Sequence, residues 1–162
     1  MQHASTTSIR RRSFAAGLMA ALGLACGNCV PIGDKDGSCE PGERCVCSGI
    51  GNCTYDCNGS GCHFVCDGIG NCDLTCDEGD CTARFEGKGN GSLSCAGGGC
   101  MVYSVGTGNR SLDCPGDYCS MRCSGTGNCE LTGCSEYCEF HCRELGNCSQ
   151  TCTDDTCITD GL

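Results

Sequence analysis

The sequence predicts an all-β protein: a disulfide-stapled β-solenoid of six 19-residue coils after a cleaved signal segment. Three observations carry that prediction. Cysteine fills 24 of the 162 positions, a density that marks a disulfide or metal scaffold. One motif recurs every 19 residues, without insertion, over 47–160. Within each copy, cysteine or apolar residues alternate with small polar ones, the period of a half-buried strand. Large apolar residues are otherwise sparse. Leu, Ile, Val and Phe make up roughly 13% of the chain beyond residue 25, below the roughly 20% under which highly charged chains stay disordered. No ordinary hydrophobic core can form from this composition, so cysteine must hold the fold.

Residues 1–25 read as an export signal. The basic cluster Arg10-Arg11-Arg12 precedes an apolar run from Phe14 to Ala25. That run is too short to span a bilayer and has the length of a signal h-region. Arg11-Arg12-Ser13-Phe14 resembles the twin-arginine pattern. The general secretory route is the reading preferred, because a disulfide-dependent chain does not fold in a reducing cytosol before export. Leu22-Gly23-Leu24-Ala25-Cys26 resembles a bacterial lipobox, which would place a diacylglycerol on Cys26. Gly23-Leu24-Ala25 also suits ordinary signal peptidase. The expected location is therefore exported. It is the outer-membrane or periplasmic face or the cell surface if Cys26 is lipidated, and the periplasm or the exterior otherwise. Contact with a membrane is expected only through that lipid.

Removal of the signal takes three arginines, leaving 7 of the 10 Lys+Arg against 20 Asp+Glu, a net charge of −13. Such a chain is repelled by nucleic acid, so nucleic-acid binding is discarded. Residues 26–46 are assigned to an N-terminal linker or cap, and 161–162 to a tail.

The repeat organises 47–160. Cys47, Cys66, Phe85, Ser104, Cys123 and Cys142 are spaced by 19, and so are Asn52, Asn71, Asn90, Asn109, Asn128 and Asn147, each preceded by glycine. The unit is C-x-G-x-G-N-C-x-x-x-C-x-x-x-x-C-x-x-x. Alternation appears twice per unit, as in Cys72, Leu74, Cys76 and in Cys62, Phe64, Cys66. The connections, such as Gly49-Ile50-Gly51-Asn52 and Asn58-Gly59-Ser60-Gly61, are rich in turn formers. Each unit is thus two short strands and two turns. Stacked at the strand spacing of about 4.8 Å, six coils make a rod about 29 Å long. The six asparagines then form a ladder, expected to bond amide to amide along the axis as in other stacked sheets.

Internal repeats constrain the disulfides. Units three and four lose their first two cysteines together: Phe85 with Gly91, and Ser104 with Arg110. Partners should disappear together, because a lone thiol is reactive. The simplest scheme is within coils. It pairs Cys47–Cys53, Cys66–Cys72, Cys123–Cys129 and Cys142–Cys148 across the Gly-Asn turn. It pairs Cys57–Cys62, Cys76–Cys81, Cys95–Cys100, Cys114–Cys119, Cys134–Cys138 and Cys152–Cys157 across the other. Pairing between stacked coils, such as Cys47–Cys66 with Cys53–Cys72, also leaves no orphan. Each short loop closed contributes roughly 2–3 kcal/mol. Cys39 and Cys45 copy the spacing of Cys47 and Cys53, giving an eleventh bridge in the cap. Cys26 and Cys29 remain: a lipid with an odd thiol, or one last disulfide.

The chemistry expected is binding or structure, not catalysis. The histidines beyond the signal, His63 and His141, occupy different places in their units, and no nucleophile–base constellation occurs. No cofactor is expected, with Ca²⁺ on a polar face as the one option. The rival is a thiolate metal or redox protein, because Cys45-Val46-Cys47 and Cys26-x-x-Cys29 have metal-site spacing. Outward positions of the first strand, from Thr54 and Asp56 to Ser149 and Thr151, are hydroxyls and acids only. They make a flat polar, negative face, the ordinary character of a solvated strand face; the sharper options are a Ca²⁺-decorated surface, a glycan-binding surface or an ice-binding array of Thr columns, the last weakened by the interrupting acids. The opposite face is mixed, and Met101 with Tyr103 could form a small contact patch.

The C-x-G-x-G-N-C units resemble the G-x-G-N repeats of small exported bacterial β-solenoid domains, with cysteine in place of aliphatic core residues, and the signal resembles that of bacterial lipoproteins. The resemblance implies a surface or periplasmic protein with an unidentified ligand or envelope component as partner. It carries over no functional residue.

Overall fold

Strands of three to five residues follow one another at the repeat spacing and stack in parallel. The computed structural model describes residues 32–143, 146–152 and 154–160. The signal segment, Cys26, Cys29 and the tail 161–162 lie outside the described residues. The first strands are β1 (Lys35–Cys39), β2 (Arg44–Cys47), β3 (Cys53–Cys57) and β4 (His63–Cys66). The middle coils carry β5 (Cys72–Thr75), β6 (Thr82–Phe85), β7 (Gly91–Ser94) and β8 (Met101–Ser104). Then come β9 (Arg110–Asp113), β10 (Ser120–Cys123), β11 (Cys129–Thr132) and β12 (Glu139–Cys142). The last are β13 (Cys148–Gln150) and β14 (Ile158–Asp160). Odd-numbered strands form one seven-stranded parallel sheet and even-numbered strands another. No helix occurs among the described residues. The protein is a β-solenoid.

Alternation decides what each strand buries. The odd sheet sends Leu74, Leu93, Leu112 and Leu131 inward as one column, each 0–3% exposed. The even sheet opposes them with Phe64, Ala83, Val102, Met121 and Phe140. Each large side chain so buried contributes roughly 1.5–3 kcal/mol. Disulfides close both corners of this narrow core.

Eleven bridges join described cysteines, all between the two strands of one coil, with Cα–Cα separations from 5.9 to 6.6 Å. Cys47–Cys53, Cys66–Cys72, Cys123–Cys129 and Cys142–Cys148 close the Gly-Asn corner. Cys57–Cys62, Cys76–Cys81, Cys95–Cys100, Cys114–Cys119, Cys134–Cys138 and Cys152–Cys157 close the other.

The segment assigned to a linker or cap carries a rung of the solenoid. β1 pairs with β3 at an offset of 18, and β2 with β4 at the usual 19. The offset of 18 puts Cys39 in register with Cys57, while the usual 19 puts Cys45 in register with Phe64. The Cys39–Cys45 bridge therefore sits at the second corner and fills a core position. It does not copy the Gly-Asn corner, as its spacing suggested. Lys35 stands where four of the later coils have cysteine, and its ammonium donates to the Ser48 carbonyl at 2.6 Å.

Both glycines of G-x-G are demanded by stacking. A Cβ on Gly70 would lie 2.0 Å from the Gly51 carbonyl oxygen, and φ there is +144°. A Cβ on Gly87 would lie 2.1 Å from the Gly68 carbonyl oxygen.

The asparagine ladder has a different chemistry from the amide-to-amide one expected. The backbone N–H groups of Asn71, Asn90, Asn109, Asn128 and Asn147 each donate to the side-chain oxygen of the asparagine one coil earlier, at 3.0–3.1 Å. Asn52 donates likewise to Asp34 Oδ1 at 2.8 Å. The reason lies in the backbone. Gly51 and Cys53 aim their N–H groups at the next coil, toward the Ile69 and Asn71 carbonyls. Asn52, between them, aims its N–H backward, where a side-chain oxygen accepts it. Asp34 can end the column because only an acceptor is required there.

Candidate binding face

The two outer faces differ sharply in charge. On the odd sheet, one column runs Asp36, Thr54, Asp73, Ser92, Ser111, Glu130 and Ser149. The second runs Ser38, Asp56, Thr75, Ser94, Asp113 and Thr132. Two carboxylates never occupy adjacent rungs of one column. Hydroxyls between them bond to them instead: Ser92 Oγ donates to Asp73 at 2.7 Å, and Thr132 Oγ1 to Asp113 at 3.2 Å. The face is flat, hydroxylated and anionic.

The even sheet gathers the cations. One outer column runs Val46, Val65, Arg84, Tyr103, Arg122, His141 and Asp160. Its neighbour runs Arg44, His63, Thr82, Met101, Ser120, Glu139 and Ile158. With Arg143 just beyond β12, this side holds four of the seven Lys and Arg beyond residue 25. Both histidines of that region are here too. Arg84 pairs with Glu86 at 2.5 Å. Arg122 lies 3.6 Å from Glu139, and His141 lies 3.0 Å from Asp160 and 3.7 Å from Glu139.

A groove of about 450 Å³ opens along this face, lined by Tyr103, Val105, Arg122, His141 and Arg143 among others. A second hollow of about 440 Å³ shares Tyr103 and Arg122 with it and reaches Tyr118 and Tyr137 at the corner. Those two rings stack with centroids 4.9 Å apart and planes 11° apart. They are 65% and 52% exposed. Three of the four tyrosines thus line the same hollow as Arg122.

The corner pair is held in an unusual backbone. Tyr118 has φ +55° and Tyr137 φ +53°. The same place one, two and three rungs earlier holds Gly99, Asp80 and Gly61, also at positive φ. Glycine and aspartate tolerate that region; a bulky side chain there costs of order 1–3 kcal/mol. Strain of this kind concentrates at functional sites. The sequence by itself singles out Met101 and Tyr103 and leaves Tyr118 and Tyr137 unmarked. The signal for the corner pair is their 19-residue separation, which places them on adjacent rungs.

The cysteine groups come together as well. Sulfurs of Cys57, Cys76 and Cys81 lie within 4.8 Å of one another, as do those of Cys95, Cys114 and Cys119, and of Cys138, Cys152 and Cys157. Each belongs to a disulfide. Metal ligation needs thiolates, so the clustering reflects stacked corners.

Where the two Gly-Asn bridges are missing, other side chains fill the corner. Phe85 covers Gly91, whose added Cβ would lie 2.5 Å from the ring. Arg110, only 4% exposed, lies 5.2 Å over that ring. Its guanidinium donates to the carbonyls of Gly89, Asn109 (3.1 Å) and Thr107 (3.4 Å). A cation–π contact and several carbonyl bonds thus take the place of a covalent staple.

Comparison with protein-family models, with curated proteins and with solved structures gives no match to this chain.

Proposed function

We propose that the protein is an exported, non-enzymatic binding module of the cell envelope, and that the outer face of the even sheet is its contact surface. The observation that carries this is the cluster of Tyr103, Tyr118, Tyr137 and Arg122 on a rigid, stapled scaffold. Exposed aromatics beside arginine are the composition of binding hot spots. The preformed backbone limits the ordering cost of association. Dense disulfide bonding supports an oxidising compartment. The basic and apolar stretches of residues 10–25 support export by a signal segment.

The test is an array of glycans and peptides probed with the oxidised chain, with Tyr103→Ala and Arg122→Gln on the even sheet, and with Ser94→Ala on the odd sheet. The expected outcome is a ligand lost in the first two variants and kept in the third. A ligand lost only in the odd-sheet variant moves the contact surface to the acidic face and overturns the assignment. Intact mass before and after reduction tests the compartment. A gain of about two mass units per bridge supports oxidation, and bound metal with free thiols refutes it. The same spectrum shows whether Cys26 carries a lipid.

A further inference from the structure

From the contact-face reading, on which this rests, we infer that the groove binds a linear, carboxylate-bearing polysaccharide laid along the solenoid axis. The argument starts from spacing. Arg84, Tyr103, Arg122 and His141 occupy one column on consecutive rungs, and rungs repeat at about 4.8 Å. That rise is close to the length of one sugar ring in an extended chain. Successive rings of such a polymer stay near successive side chains over the four rungs of the column. An extended peptide rises about 3.3 Å per residue, so its same-face side chains recur near 6.6 Å and fall out of step with the rungs.

Chemistry points the same way. Sugar rings present C–H faces that pack on aromatic rings, and Tyr103 and the Tyr118–Tyr137 stack supply them beside the column. Ring carboxylates suit guanidinium forks, which bind them in bidentate fashion. Arg122, 55% exposed along its side chain, and Arg143 supply those forks. Glu139 and Asp160 face the same groove and hold Arg122 and His141 in place. Arg143 has no ion pair among the described residues and is the groove's most available cation.

The net charge of −13 opposes any polyanion at long range. Screening over about 8 Å at physiological ionic strength leaves the local cations in control. A polymer with at most one charge per rung matches that local set. Duplex DNA, with one charge per about 1.7 Å, brings far denser charge against the acidic remainder.

The experiment is calorimetric titration of the oxidised chain with alginate, with neutral dextran and poly-glutamate as comparators. The expected result is alginate binding that weakens with salt, at least tenfold tighter than either comparator. Arg122→Gln with Arg143→Gln should weaken it at least tenfold, and Tyr103→Ala several-fold. Ser94→Ala on the opposite sheet should leave it unchanged. All four positions lie on the surface, and unchanged intact mass and circular dichroism verify that each variant folds. Equal binding of poly-glutamate overturns the polysaccharide and leaves a face that reads charge alone. Alginate binding that survives the arginine and tyrosine variants overturns the site. No alginate binding, with an array ligand of another class still lost in Tyr103→Ala, overturns this inference and leaves the contact face standing. No ligand of any class overturns both.

Discussion

Replacing Asn90 by alanine isolates what the asparagine ladder does. In the structure Asn90 Oδ1 accepts from the Asn109 backbone N–H at 3.1 Å, while the Asn90 backbone N–H donates to Asn71. Alanine removes only the first bond. The column is exposed, so water can reach the orphaned N–H, and the loss should stay near the net value of one hydrogen bond, about 1 kcal/mol. Aspartate keeps an acceptor, and its column neighbours Asn71 and Asn109 carry no charge. Asn90→Asp should therefore lie within about 0.5 kcal/mol of the parent. Denaturant unfolding with the disulfides intact measures both. Hydrogen exchange at Asn109 should speed up about fivefold in the alanine variant. An amide-to-amide ladder predicts something else: aspartate keeps the acceptor and loses the donor, so it would cost about one bond and alanine two. A loss of about 1 kcal/mol in the aspartate variant, or unchanged protection at Asn109, would refute the backbone-to-side-chain ladder.

Other consequences of the structure can be measured directly. Gly70→Ala puts a Cβ 2.0 Å from the Gly51 carbonyl oxygen at a positive φ, so the loss should reach several kcal/mol and show as a failure to form all native bridges by peptide mapping. Ser104→Cys with Arg110→Cys restores a Gly-Asn corner bridge, worth about 2 kcal/mol for so short a loop; peptide mapping should find the two introduced thiols joined to each other, and the gain is set against the lost contacts of Arg110 with Phe85 and the turn carbonyls. Tyr118→Gly and Tyr137→Gly each relieve a positive φ at an exposed corner. Melting temperature should rise or hold while ligand binding falls, and loss of both together would assign the tyrosines to stability. Full reduction should abolish the β-sheet circular dichroism, because the bridges hold both corners of a narrow core.

Much of the architecture was legible along the chain because a solenoid converts sequence period into spatial stacking. Nineteen residues per coil, with no insertion from 47 to 160, put like positions on like rungs. Alternation in Cys72-Asp73-Leu74 decided which side chains face inward, since strand geometry has a period of two. The joint absence of cysteine at 85 with 91, and at 104 with 110, pointed to partners within a coil. G-x-G was legible as a corner, because only glycine combines the needed φ with so close an approach to the neighbouring carbonyl.

Other features were set by contacts that no period encodes. The one-residue slip of β1 was hidden, because residues 26–46 lack the motif; it sets Cys39 against Cys57, whereas Cys45 keeps the 19-residue offset to Phe64. Asparagine in the ladder was visible, but which atoms bond depends on where the corner aims each N–H. Arg110 looked like a lost cysteine. It became a buried cation over Phe85 only once coils three and four were stacked. The proposed contact face arises the same way. Arg84, Tyr103, Arg122 and His141 are separated by 19 residues each, and Tyr118 and Tyr137 likewise, yet these are two different places in the repeat. Sequence fixes each side chain's rung and side. Folding of the corner in three dimensions brings the tyrosine stack beside the arginine column, because a turn's direction depends on backbone angles that the repeat spacing does not contain.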